Sequence, residues 1–437
     1  MCGEMSGYMK KKHIALILSF LLMFFSLVLP DAADAQAVNL NLEVKSAILV
    51  EAETGQVLYQ FNADEVLPPA SMAKMMTEYL VLEQIHKGKL QWEDIVTTSQ
   101  YAADVIGSQV LLAVNEQMTV KDMFYALSIY SANDAAVALA EHIAGTEENF
   151  ANMMNAKAKE LGIAEQAHFI NSTGLSRADL GKYAPTGIEG ETVMSAWAAS
   201  ELARRLISDY PQILEFTKIP SKKFRERDTT LMINWNWMLE GNKDVRNFKP
   251  YVYEGLDGLK TGSTKEAGYC FTGTALRNGM RLISVVMGTS SEPKRFQETR
   301  KLLDYGFNQF EKRTVIPAKS EVDEMKTVAV KKGVKLEAPV VTDKAVTMVV
   351  PKGTDDSAFE IKGEPVEQDK LVAPIQQGDV LGTLTVSFSM PDSNEVQSQQ
   401  VNMVAAEDVE KASWIRLLFR AIKNFFADMF HGIIGMF

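Results

Sequence analysis

The chain of 437 residues is poor in cysteine and histidine, and each shortage removes a class of chemistry. Only Cys2 and Cys270 are present, and Cys2 sits in a leader-like stretch, so Cys270 has no partner for an internal disulfide. The histidines beyond that stretch, at 86, 142, 168 and 431, have no HExxH spacing, and CxxC is absent. Neither a metal nor any other cofactor is therefore expected. Positive charge is short as well: a formal net charge of −11 argues against nucleic acid as a partner. The apolar run Ile14–Leu29 has sixteen residues, slightly short for a stable membrane span.

That run nevertheless indicates a destination. Lys10, Lys11 and Lys12 precede it, Pro30 and DAADAQA follow, and Ala33 and Ala35, or Ala35 and Ala37, offer A-x-A cleavage sites. Residues 1–35 read as an export signal cleaved after Ala35, with an uncleaved anchor as the alternative. Cleavage removes three lysines and three acids (Glu4, Asp31, Asp34), so the mature chain stays at −11. About 400 remaining residues exceed one ordinary core, and more than one domain is expected.

Periodicity divides the remainder. SAILVEAETGQVLYQ, from Ser46, alternates apolar and polar residues around Thr54-Gly55, the pattern of a β-hairpin. From Ser71 to about Ala199 the period is helical, with Thr119 and Asp122 as a capping box for a helix running to Tyr130 and a further helix stopping at Gly145. Strands return after Gly255, where Asn278-Gly279 centres a second hairpin. Strands at both ends of a helical block predict one α+β domain, residues 36–314, whose sheet joins distant segments. Residues 315–404 are rich in Val, Lys, Thr and Pro and show short strands without helical period, a separate β domain. Residues 405–437 end in an amphipathic helix. Arg416, Arg420 and Lys423 share a narrow face, and Trp414, Ile415, Leu418, Ile422, Phe425, Phe426, Met429 and Phe430 cover the rest. Such a helix, over 412–437, suits a membrane surface; packing on the β domain or a partner is the alternative.

LPPASMAKMMT, from Leu67, puts Ser71 and Lys74 one turn apart at a helix start behind two prolines. A serine hydroxyl needs a base within hydrogen-bond reach, and free N–H groups at a helix start stabilise an oxyanion. The spacing recurs at Ser291–Lys294, in SEPK, where a proline intervenes and no helix of similar quality is expected. Two further motifs distinguish the copies: Ser131-Ala132-Asn133 between two predicted helices, and Lys260-Thr261-Gly262 ahead of the Asn-Gly hairpin, where the glycine lets a ligand approach a strand backbone closely. Cys270 reads as an apolar strand residue, His168 as packed or capped, and Met72, Met75 and Met76 as core.

S-x-x-K, S-x-N and K-T-G, in this order, resemble the motif set of penicillin-binding proteins and class A β-lactamases. ADEVLPPASMAKMMT, NSTGL at 171–175, GLDGLKTGSTKEAGYC and KLLDYGF at 301–307 are similar to the low-molecular-mass penicillin-binding proteins that are D-alanyl-D-alanine carboxypeptidases. The resemblance implies a transpeptidase-like α+β fold with an antiparallel sheet and helical layer. It implies Ser71 as the acylated nucleophile, Lys74 as its base, Ser131 as proton relay and Asn133 on the substrate amide. Lys260 and Thr261, within Lys260-Thr261-Gly262, would hold the terminal carboxylate, and the N–H groups of Ser71 and Ser263 would form the oxyanion hole. The implied partners are peptidoglycan pentapeptide stems, β-lactams as inhibitors, and a membrane surface at the outer face of the cytoplasmic membrane. Rival readings are a serine β-lactamase and a catalytically silent wall-binding protein of the same fold.

Overall fold

The computed structural model describes residues 38–390 and 396–434. The expected export signal, residues 1–35 with Cys2, lies outside the described residues, as do residues 435–437 of the expected anchor.

Five strands form the central antiparallel sheet: β1 (Ser46–Glu51), β2 (Val57–Phe61), β3 (Leu256–Thr264), β4 (Gly268–Arg277) and β5 (Met280–Thr289), in the order β2-β1-β5-β4-β3. The first hairpin closes because Gly55 takes φ +77° and the Glu51 carboxylate accepts from the Thr54 amide at 2.8 Å and hydroxyl at 2.7 Å. At the second, Asn278 (φ +49°) and Gly279 (φ +76°) supply the two left-handed residues that such a tight turn requires. The chain ends of the domain meet where Ser46 pairs with Met287 and Glu51 with Leu282. β3, with the Lys260-Thr261-Gly262 motif, is an edge strand.

The sheet is covered on both faces, which is why β1 is buried along its whole length. The helices used below are α1 (Lys74–His86), α2 (Val120–Tyr130), α3 (Asn133–Ala144), α4 (Glu147–Glu160), α5 (Ala196–Asp209), α6 (Glu292–Gln309) and α7 (Trp414–Ile434). Ile48 and Val50 join a core with Ala199 and Leu202 of α5, while Leu49 and Leu282 reach Gly306 of α6 on the other face. Thr119 caps α2 by accepting from the Asp122 amide at 3.1 Å, and Gly145 ends α3 at φ +79°. Residues Lys74 to Glu83 of α1 are buried without interruption, so this helix has no solvent face along its first turns.

SEPK departs from expectation. Ser291 opens α6, an 18-residue helix, rather than a poor one. The proline lies in the first turn, where its missing N–H has no intrahelical partner to lose.

The all-β part begins with β6 (Phe310–Ile316) and continues with β7 (Thr327–Ala329), β8 (Glu337–Thr342), β9 (Val346–Pro351), β10 (Phe359–Pro365), β11 (Val380–Ser389) and β12 (Val396–Ala405). β6 pairs with β9, and the others form a sheet in the order β7-β8-β12-β11-β10. In α7, Trp414, Phe419 and Phe425 are 73%, 67% and 65% exposed, an apolar surface facing outward. Arg420 is not part of a free basic stripe: its guanidinium donates to the carbonyls of Gly333 at 2.6 Å and Val334 at 2.8 Å, tying the helix to the β domain. Among the described residues no helix is long and apolar enough to cross a membrane.

Candidate active site

Ser71 lies in a 3₁₀ turn, Ala70–Ala73, that leads directly into α1. The lysine one turn later points back at it: Lys74 Nζ is 2.9 Å from Ser71 Oγ. The same nitrogen is 2.6 Å from Asn133 Oδ1 and 2.8 Å from the Thr173 carbonyl. Burial holds the Lys74 ammonium well below its usual range, and the nearby Lys260 cation adds to the effect. A neutral amine has two N–H donors and one lone pair. The amide oxygen and the carbonyl can only accept, so they take both donors and leave the lone pair for the one neighbour that carries a proton, the Ser71 hydroxyl. Such an arrangement can activate an alcohol for attack on a carbonyl.

Ser131 ends α2 in the left-handed conformation, φ +60°, a costly geometry for a side-chain-bearing residue. The turn delivers its hydroxyl to Lys260, whose Nζ donates at 2.8 Å. Lys260 also donates to the Thr261 carbonyl at 3.2 Å, and burial lowers its pKa. Asn133 starts α3 and is fixed at both ends of its amide, with Nδ2 donating to the Ile106 carbonyl at 2.6 Å. Asp134 next to it accepts from the amides of Val110 at 3.2 Å and Leu112 at 3.1 Å, so α3 also secures the lip formed by residues 106–112.

Tertiary structure brings together the residues of the three motifs and Ser263. Ser71, Ser131, Asn133, Thr261, Gly262 and Ser263 line a cleft of about 540 Å³, and Lys74 and Lys260 lie beneath it, bonded to Ser71 and Ser131. Gly262 has a different reason from the one the sequence suggests. A Cβ there would lie 2.5 Å from the Pro69 carbonyl oxygen and 3.0 Å from the Met72 amide nitrogen. The close neighbour is the backbone of the turn that carries Ser71.

Ser291 has none of these surroundings. Its hydroxyl caps α6 by accepting from the Lys294 amide at 3.4 Å, and Lys294 pairs with Glu43 at 2.5 Å and Glu298 at 3.5 Å, which raises its pKa. Cys270 is buried opposite Gly262 on β4, and burial pushes its thiol up to about 11. His168 bonds the Glu189 carbonyl at 2.9 Å through Nε2.

Three contributors escape residue-level reading. Thr173 acts through its carbonyl, and a backbone acceptor has no residue-type signature. Its loop is built by Asn171 Oδ1, which accepts from Thr173 N at 3.0 Å, Thr173 Oγ1 at 2.8 Å and Gly174 N at 2.7 Å. Glu147, at the start of α4, accepts from Ser172 N at 3.1 Å and Ser172 Oγ at 2.5 Å, securing the same loop from behind. Arg295 lines the cleft from α6 although nearly buried, with Glu292 at 2.7 Å and the Gly262 carbonyl at 3.4 Å. It was hidden in the helix that SEPK opens.

The profile of the family described as D-alanyl-D-alanine carboxypeptidase matches residues 32–291, and that of the penicillin-binding protein 5 C-terminal domain matches residues 310–411. The D-alanyl-D-alanine carboxypeptidase DacF of Bacillus subtilis is 36% identical over 418 residues, 95% of this chain and 98% of that protein. The crystal structure of a peptidoglycan synthesis regulatory factor, PBP3, from Streptococcus pneumoniae superposes with a TM-score of 0.72 at 32% identity, covering 84% of this chain and all of that one. Penicillin-binding protein D2 of Listeria monocytogenes in its ampicillin-bound form gives a TM-score of 0.53 at 33% identity, over 62% of this chain and all of that one.

Proposed function

The chain belongs to the D-alanyl-D-alanine carboxypeptidase family and is a serine-type carboxypeptidase of the low-molecular-mass penicillin-binding class; from that premise we propose which residues perform the reaction and where. The observation that carries the assignment is the environment of Lys74: two obligate acceptors and the Ser71 hydroxyl around one buried amine. Lys74 takes the Ser71 proton as Oγ attacks the carbonyl between the last two D-Ala residues of a pentapeptide stem. The developing oxyanion lies between the amides of Ser71 and Ser263, and charge stabilisation of this kind is commonly the largest single catalytic effect. Ser131 gives its hydroxyl proton to the departing D-Ala amine and takes a replacement from the Lys260 ammonium that donates to it. Lys74 keeps the Ser71 proton until Oγ leaves in deacylation, when water returns a proton to Lys260 through Ser131. Asn133 orients the substrate amide. The free carboxylate of the leaving residue meets Lys260 and Thr261, with the Arg295 charge behind them. Water then releases the shortened stem from Ser71.

Penicillin acylates the same serine in this reading, as the ampicillin-bound Listeria neighbour supports. Residues 1–35 serve as a cleaved export signal, residues 36–314 as the catalytic domain and 315–404 as the β domain. Residues 405–437 hold the enzyme peripherally at the outer face of the cytoplasmic membrane. The outward apolar surface of α7 supports the anchor.

Labelled penicillin followed by peptide mapping tests the centre of this reading, with release of D-alanine from a D-Ala-D-Ala pentapeptide as its companion. The label is expected on Ser71, and Ser71→Ala is expected to abolish both signals. A label on Ser291, or none, would refute the assignment, and rapid penicillin turnover without D-alanine release would favour a β-lactamase.

A further inference from the structure

Glu78 follows Lys74 by one helical turn and so shares its face of α1. It is fully buried, and neither carboxylate oxygen has a hydrogen-bond partner. The Ser128 hydroxyl faces it from α2, outside normal hydrogen-bond geometry but near enough to favour the ionised carboxylate. A carboxylate so placed is costly unless an opposite charge compensates it, and burial raises the Glu78 pKa to about 7, so it is ionised above that pH. Lys260 from β3 is such a charge, and Lys74 on its own helix adds a second only while it is protonated. Further out, Arg295 on α6 acts on Lys260, and Asp134 on α3 and Glu147 on α4 act on Lys74.

The roles assigned above ask two buried lysines to hold opposite protonation states, Lys74 neutral and Lys260 cationic. Two cations in one dry volume repel, and without a negative charge both lose their protons readily. We propose that Glu78 is the counter-charge of the site: ionised in the working enzyme, it keeps Lys260 protonated beside a neutral Lys74. The proposal rests on the assignment of Ser71, Lys74 and Lys260. Glu78 touches no substrate in it and is a positioning residue that acts through the two lysines. Its charge raises the pKa of both, against the burial that lowers them.

The sign of the effect distinguishes this role from simple packing. Acylation rises with pH as Lys74 becomes neutral and falls as Lys260 loses its proton. Removing the Glu78 charge lets both lysines deprotonate at lower pH, so both limbs of the profile move in the acidic direction, by about half a unit or more. The experiment is the pH dependence of Ser71 acylation by labelled penicillin, on the full chain, for the parent, Glu78→Gln and Glu78→Met. Limbs that stay in place while only the plateau drops would overturn the proposal. Thermal melts provide a second reading that holds even if a neutral variant folds poorly. The double variant Glu78→Met with Lys260→Met is expected to melt above Glu78→Met alone, because it no longer buries a lysine that must either stay charged without a partner or give up its proton on folding. A double variant no more stable than the single one contradicts the pairing. Absence of label from Ser71 in the parent refutes the underlying assignment; label on Ser71 with unmoved limbs in the variants refutes only the role of Glu78.

Discussion

Replacing Gly262 with alanine should force the turn that carries Ser71 away from the strand that faces it. The new methyl would stand 2.5 Å from the Pro69 carbonyl oxygen and 3.0 Å from the Met72 amide nitrogen, both backbone atoms that cannot rotate away. Ordinary contact begins near 3.4 Å, so β3 and the Ala70–Ala73 turn must separate by roughly 0.9 Å along the tighter contact. Overpacking of this size costs about 1–3 kcal/mol of stability. A misplacement near 1 Å between reacting groups costs about 10²-fold in rate. The variant should therefore fold with a modestly lower melting temperature and lose about two orders of magnitude in the second-order rate of acylation by labelled penicillin. Gly279→Ala is the control. It lies in the β4–β5 turn at φ +76° with nothing within 4 Å of its would-be Cβ, so alanine there carries backbone strain of about 1–2 kcal/mol without touching the Ala70–Ala73 turn. Acylation by Gly262→Ala within twofold of the parent, in a protein that still folds, would show that the close approach does not set the position of Ser71.

Lys260→Met removes a cation that holds the Lys74 pKa down, so Lys74 becomes neutral only at higher pH. The acidic limb of the acylation profile should then move upward by about 1–3 units, and a limb that stays or moves downward would contradict the coupling. Ser291→Ala removes the cap of α6, whose bond to the Lys294 amide is long at 3.4 Å, so the loss belongs at the low end of cap values, about 0.5–1 kcal/mol by thermal or urea melts. Labelling at Ser71 should be unaffected, and its disappearance would give Ser291 a role not assigned here. Deleting residues 412–437 should move the protein from the membrane pellet to the soluble fraction; continued pelleting would point to an uncleaved leader as the anchor.

Much of this molecule follows from local rules. The Asn278-Gly279 turn, the Thr119 cap and the Gly145 stop act over a few residues, so they are readable wherever they occur. The motif residues were legible too, through their resemblance to a family rather than through spacing alone. Helix quality, by contrast, misled. Ser71 and Ser291 both open helices with a lysine three positions on, and the helix behind Ser291 is the longer.

The sequence by itself determined the hairpins, the helix ends and the residue types available for acyl transfer, because each depends on a short segment and its own backbone. Only the tertiary structure decided which lysine is buried against a serine hydroxyl with its pKa lowered. Lys74 is fully buried and meets Asn133 of α3 and the Thr173 carbonyl, 59 and 99 residues away, whereas Lys294 reaches the surface and pairs with Glu43. The folded chain also brought Arg295, Glu147 and the Thr173 carbonyl around the cleft. Desolvation and charge pairing are properties of a place in the fold, and a place assembled from segments so far apart has no signature in any one of them.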